Sequence, residues 1–261
     1  MLTSLTSRVI PCLDVSDNRV VKGIKFSGLR DAGNPAELAL AYEHQGADEI
    51  VVLDVSATDR KKQTQLQTVE EIRAAISIPL TVGGGVRSID DVRRLTDAGA
   101  DRVSVNTAAV DRPELVSEIA EQFGRQCTVV AIDARRIGSS ATSWQVVTHA
   151  GKTNTDLDVV QWCKTVETAG AGEILLTSFD RDGTQSGYDL QLLKATTGGA
   201  VSIPVIASGG ARQASHLLEA LQAGATAVLA ASILHDDLTT VEKLKLEMRD
   251  LGATVRIEGQ K

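Results

Sequence analysis

Apolar residues fall along this chain in eight short runs, at 8–14, 49–54, 80–83, 102–105, 128–133, 173–177, 205–208 and 227–230. The runs are rich in Val, Ile and Leu, and several lack polar alternation. That pattern fits strands buried on both faces, as in a parallel sheet. Between most of them the apolar positions recur with helical spacing. In 90–98 (DDVRRLTDA), Val92 and Leu95 share one stripe, and Arg93, Arg94 and Asp97 are left for solvent. Segments 114–123, 157–169 and 214–223 read similarly. Ser88 is placed to cap the 90–98 helix. Pro35 and Pro113 sit in first turns of helices, where a missing N–H costs nothing.

The chain also repeats itself. Ile78-Pro79 matches Ile203-Pro204, Gly84-Gly85 matches Gly209-Gly210, and Ala98-Gly99-Ala100 matches Ala223-Gly224-Ala225, all at one offset. Eight βα units in 261 residues predict an α/β chain folded as a single (β/α)8 TIM barrel. The repeat divides it into similar halves, about 1–125 and 126–261. No G-x-G-x-x-G follows the first strand, which argues against a doubly wound dinucleotide-binding sheet. Two loops, 15–35 and 134–156, exceed the usual few residues. Both are expected at the C-terminal face, where barrel active sites lie.

Composition narrows the partners. Net charge is −7, aromatic residues make up 3%, and there is no basic run, so the usual nucleic-acid footprint is missing. Cys12, Cys127 and Cys163 are odd in number and widely spaced, as suits a reducing cytosol. The four histidines form no metal-binding spacing, so no metal and no cofactor are expected. No signal-peptide or membrane-span pattern is evident, and the expected location is the cytoplasm.

Two carboxylates stand out as candidate chemistry. Asp14 and Asp133 each end an apolar strand at matching places in the two halves, so a barrel would set them facing across its mouth. The alternative for each is a hydrogen bond to a loop backbone. Cys12 shares the face of Asp14. It either lines the site or packs in the core. Lys22, in the first long loop, is either a solvated lysine or a substrate contact under a lid.

Each Ile-Pro strand ends in glycines where a helix starts, the arrangement of a phosphate cradle. Gly85, Asn106 and Thr107 form the first cradle. The second draws on Asp182, Gly183, Thr184, Ser208, Gly209, Gly210, Ala231 and Ser232. Two cradles suggest a ligand with a phosphate at each end. Arg8, Glu49, Arg102 and Glu173 sit near strand starts, where mutual ion pairs would close the barrel bottom.

These motifs, taken in order, resemble the cyclase subunit of imidazole glycerol phosphate synthase. The similarity rests on Ile10-Pro-Cys-Leu-Asp14, Arg19-Val-Val-Lys-Gly23, Leu29-Arg-Asp-Ala-Gly33, Leu80-Thr-Val-Gly-Gly-Gly85, Val105-Asn-Thr-Ala-Ala109, Val130-Ala-Ile-Asp133, Asp180-Arg-Asp-Gly-Thr184 and Ala207-Ser-Gly-Gly210. The resemblance implies an enzyme of histidine biosynthesis, a lyase. In it, ammonia attacks a bis-phosphorylated ribulosyl aminoimidazole carboxamide precursor. An imidazole ring closes, a C–N bond breaks, and imidazole glycerol phosphate and aminoimidazole carboxamide ribotide are released. It implies Asp14 and Asp133 as the acid–base pair, with Lys22 holding substrate. It also implies a glutaminase partner docked at the N-terminal face as a heterodimer. Arg8, Glu49, Arg102 and Glu173 then become a gate to an ammonia path, and Asp101 a contact to that partner. Lys is common in the family where this chain has Arg102. The competing readings are the sister aldose–ketose isomerase of the same pathway, and a barrel that only binds a phosphorylated ligand.

Overall fold

The computed structural model describes residues 6–24, 27–55, 66–138 and 142–257. β1 (Arg8–Ser16) leads into β2 (Arg19–Ile24) and β3 (Ser27–Gly33), then α1 (Pro35–His44), β4 (Ile50–Asp54) and α2 (Leu66–Ala75). β5 (Leu80–Gly83), α3 (Ile89–Asp97), β6 (Arg102–Val105), α4 (Thr107–Asp111) and α5 (Glu114–Phe123) complete the first half of the chain. The second half opens on β7 (Thr128–Arg136), β8 (Trp144–Thr148), β9 (Thr153–Asp158) and α6 (Val159–Ala169). It continues through β10 (Glu173–Ser178), α7 (Leu190–Thr197), β11 (Val205–Ser208), α8 (Ala214–Gln222) and β12 (Ala227–Ala230), and ends with α9 (Ser232–His235) and α10 (Val241–Asp250).

The strands β1, β4, β5, β6, β7, β10, β11 and β12 pair in parallel, each with the next. β12 pairs with β1 through Ile10↔Leu229, so the ring closes into the (β/α)8 barrel. The two faces of each strand explain the unbroken apolar runs. Ile10, Cys12, Val51, Val129, Leu175, Ile206, Ala227 and Leu229 fill the barrel interior. Val9, Leu13, Ile50, Val52, Val130 and Ile132, at the intervening positions, pack in a second core that includes helix residues such as Val92, Leu95 and Ile119. Caps set the helix starts. The Asn34 side chain accepts from the backbone N–H groups of Ala36 and Glu37 ahead of Pro35, and Ser88 Oγ accepts from Asp91 N–H at 3.2 Å.

Two segments expected as loops are partly strand. β1 runs on to Ser16 and pairs antiparallel with β2 through Val15↔Val20, and β2 pairs with β3. Asp17 and Asn18, at φ 49° and 60°, make the two-residue turn that matches strand twist. In the second half, β7 continues to Arg136 and pairs with β8, which pairs with β9. The helix expected from 157 begins at Val159, because Leu157 and Asp158 complete β9 and the Asp158 carboxylate caps the helix by accepting from Gln161 N–H at 2.9 Å. No helix among the described residues is long and apolar enough to cross a membrane.

Candidate active site

A cavity of about 660 Å³ is lined by residues at the C-terminal ends of the barrel strands. Asp14 and Asp133 both line it, together with Cys12, Gly85, Asn106, Thr107, Asp182, Ser208 and Ala231 from the expected set. Asp133 is 9% exposed, and its Oδ2 accepts from Asn106 Nδ2 at 3.0 Å. Burial pushes the Asp133 carboxyl up to about 6. The Asn106 bond opposes the rise, and the charges of Asp182 and Asp14 add to it. A buried carboxyl poised near neutrality can take and return protons. Cys12 Sγ lies 3.8 Å from Asp14 Oδ1, on the same face of β1, while its backbone carbonyl accepts from His235 Nε2 at 2.9 Å.

The strand carrying Asp133 is tied to the segment carrying Asp182. Arg136 N–H donates to Asp180 at 2.8 Å, and Phe179 N–H to the Ala134 carbonyl at 2.9 Å. The Arg136 guanidinium donates to both carboxylate oxygens of buried Asp189, at 3.0 and 2.9 Å, and lies over the Trp144 ring. Trp144 Nε1 donates to the same carboxylate at 3.1 Å.

The glycine turns have matching geometry in the two halves. Gly84 and Gly209 adopt φ 92° and 90°. A Cβ on Gly84 would lie 2.2 Å from the Asp54 carbonyl oxygen, and one on Gly209 2.7 Å from that of Ser178. Gly209, Gly210, Gly183, Thr184 and Ser232 are not among the cavity's lining residues. Gly210 accepts a hydrogen bond from Gly187 N–H at 2.8 Å. The Thr184 hydroxyl turns inward on its own loop, donating to the Arg181 carbonyl at 2.7 Å. Ser232 opens a helix of four residues. Lys22 lies in β2 opposite Arg30, and its side chain falls outside the described residues.

At the other end, four charges form a continuous ion-pair ring. Arg8 bonds Glu49 at 2.9 Å and also Glu173. Arg102 bonds Glu49 and Glu173, both at 2.9 Å. Thr81 Oγ1 donates to Glu49 at 2.6 Å. Burial raises the Glu49 carboxyl above its ordinary range, against the opposing pull of Arg102, Thr81 and Arg8. Asp101 is engaged within the chain, accepting from Arg73 at 3.1 Å and from Leu80 N–H at 2.8 Å.

Several lining residues were not singled out from sequence: Asp54, Arg87, Ser104, His149 and Thr177. Asp54 ends an apolar run of the sequence just as Asp14 and Asp133 do, and the same rule finds it. His149, at φ 54°, follows β8, and its N–H donates to Thr107 Oγ1 at 3.2 Å. Its place depends on the β8–β9 hairpin, for which the loop reading gave no signal. Among the described residues, no group of three or more His, Cys, Asp or Glu side chains is placed to hold a metal.

Comparison with known proteins gives the family. Residues 8–240 match the family described as histidine biosynthesis protein. The chain is also 54% identical over 254 residues to imidazole glycerol phosphate synthase subunit HisF of Synechococcus sp. (strain CC9902), covering 95% of this chain and 98% of that relative. The chain belongs to the histidine biosynthesis protein family, and within it to the HisF subunits of imidazole glycerol phosphate synthase.

Proposed function

We propose that the cavity closes an imidazole ring. As a HisF-type subunit the chain is an enzyme, the cyclase component of imidazole glycerol phosphate synthase, and it works within a complex with a second subunit. The substrate is the bis-phosphorylated ribulosyl aminoimidazole carboxamide precursor. Ammonia attacks it, the ring closes, and a C–N bond breaks to release imidazole glycerol phosphate and aminoimidazole carboxamide ribotide.

One observation carries the reading. Two aspartates at matching places in the two halves, Asp14 on β1 and Asp133 on β7, open on a single cavity, and burial holds one of them near neutrality. Asp133 serves mainly as base during ammonia addition, and Asp14 relays protons during cleavage and closure. The substrate phosphates lie against the two glycine turns, where backbone N–H groups ahead of a helix favour anions. Lys22 holds the substrate from the β2–β3 hairpin. The glutaminase partner docks at the N-terminal face, and its ammonia passes the ring of Arg8, Glu49, Arg102 and Glu173.

The test is direct. The purified chain, given the ribulosyl precursor and an ammonium salt at raised pH, forms imidazole glycerol phosphate without partner or glutamine. Asp14→Asn lowers turnover by orders of magnitude while the precursor still binds. A rate like the unmodified chain's in that variant removes Asp14 from the chemistry.

A further inference from the structure

The cavity presents a charge problem. Asp14, Asp54, Asp111, Asp133 and Asp182 all line it. A substrate with two phosphates would meet five carboxylates and be repelled unless cations offset them. Among the described lining residues, Arg87 supplies the only lysine or arginine. It is exposed at the rim, immediately before the helix cap Ser88.

The second half repeats the arrangement. Gly84-Gly85-Val86-Arg87 corresponds to Gly209-Gly210-Ala211-Arg212 at the same offset that relates the glycines. The next residues, Ser88 and Gln213, have nearly identical backbones, φ −147°, ψ 163° and φ −148°, ψ 162°. Each arginine therefore leaves the chain at the same place, between a left-handed glycine pair and the start of α3 or α8. Arg212 is exposed as well.

We infer that Arg87 and Arg212 are paired phosphate-binding side chains, one for each end of the bis-phosphorylated substrate. The glycine turns offer backbone N–H groups but no full positive charge. A guanidinium beside each turn supplies that charge, and its planar fork can donate two parallel hydrogen bonds to phosphate oxygens. The inference rests on the cyclisation reading for the identity of the ligand. It goes further by assigning each phosphate its own cation.

The test uses the full chain with ammonium salt as nitrogen source. Arg87→Gln and Arg212→Gln each raise KM for the precursor about tenfold and leave kcat within about twofold, because a charge-assisted phosphate contact present before and during reaction is lost. Arg87→Lys and Arg212→Lys recover part of the loss. Each product carries one of the two phosphates. One glutamine variant therefore relieves inhibition by imidazole glycerol phosphate, and the other relieves inhibition by aminoimidazole carboxamide ribotide. Direct binding of the precursor, measured by calorimetry, separates this inference from the reaction itself. Arginine-dependent binding without turnover overturns the cyclisation and keeps the phosphate sites. Turnover with KM and both product inhibitions indifferent to the two arginines overturns the phosphate sites and keeps the cyclisation.

Discussion

The Asn106 amide donates to Asp133 Oδ2 at 3.0 Å, inside a cavity whose other acids push that carboxyl the opposite way. Asn106 stabilises the ionised form, while burial, Asp182 and Asp14 favour the protonated form. In the proposed role of general base, Asp133 must be ionised. Turnover, corrected for the fraction of free ammonia, is therefore expected to rise with pH through an acidic limb near 6. Asn106→Ala removes the bond that lowers the pKa, so the limb moves to higher pH. A limb that stays in place, or moves down, separates Asp133 from the rate.

The same burial has a thermodynamic consequence. The folded carboxyl holds its proton up to about 6, against an ordinary value of 3.8, so the folded state binds the proton more tightly than the unfolded chain. Stability from this group is complete below the unfolded pKa and is lost as pH rises through the folded one. At neutral pH the loss is about 3 kcal/mol before relaxation of the site. Asp133→Asn removes the charge and keeps the shape. Denaturant unfolding at pH 7 is expected to show the variant more stable by about 1–3 kcal/mol, with the gain vanishing near pH 4. A variant equally or less stable at pH 7 contradicts the burial argument.

The barrel was legible because its eight strands are short, apolar and separated by helical spacing, a pattern few other folds produce. The ends of β5, β6, β11 and β12 are those of the apolar runs themselves. The two hairpins were less legible. Asp17-Asn18 is a turn signal, but β2 is only half apolar, and β9 (TNTDLD) is mostly exposed and carries little pattern. Asp14 and Asp133 could be found because they end apolar runs at equivalent places. His149 and Arg87 could not be found that way. One owes its place to the β8–β9 hairpin, and the other is an exposed residue whose meaning appears only beside the acids of the cavity. Thr184 lies in a glycine-containing turn that looked like an anion site, but its hydroxyl satisfies the local backbone.

Two left-handed glycines allow strain and collision to be separated. Gly84 has φ 92°, and an added Cβ would strike the Asp54 backbone oxygen at 2.2 Å. Gly138 has φ 70°, but nothing lies within 4 Å of its added Cβ. Gly138→Ala is expected to cost about 1 kcal/mol from backbone strain alone. Gly84→Ala must move β4 or the turn itself, and is expected to cost at least about 3 kcal/mol. Equal denaturation midpoints for the two variants would show that the β4–β5 approach yields easily.

Asp189 gathers four bonds in a buried place: two from Arg136, one from Trp144, and one from Leu192 N–H as the cap of α7. Its removal leaves an indole N–H and a helix end without their acceptor, and takes the carboxylate from the Arg136 guanidinium, which still donates to Gln191 at 2.9 Å. Asp189→Ala is expected to destabilise the chain by about 3–5 kcal/mol, with partly exposed Arg136 keeping the cost toward the lower end. Asp189→Asn keeps the cap and should cost less. Loss of no more than a few tenths of a kcal/mol in the alanine variant, from chemical denaturation, would show that the cluster rearranges without penalty.

The ring at the barrel floor offers a test that distinguishes stability from passage. Glu49 is 1% exposed and accepts from Arg8, Arg102 and Thr81, so Glu49→Gln leaves two guanidinium groups facing a neutral amide. Because both arginines retain some contact with water, the loss is expected nearer about 2 than 5 kcal/mol. Ammonium salt can reach the cavity from the C-terminal side without crossing the floor. With the partner docked at the N-terminal face, as proposed above, the ammonia it releases would cross the floor. Glutamine-dependent turnover in the reconstituted complex should therefore fall further in Glu49→Gln than ammonium-dependent turnover of the same complex, measured below the melting temperature of the variant. An equal decline in both assays would make the ring a structural closure only, and the partner's ammonia would have to arrive by another route.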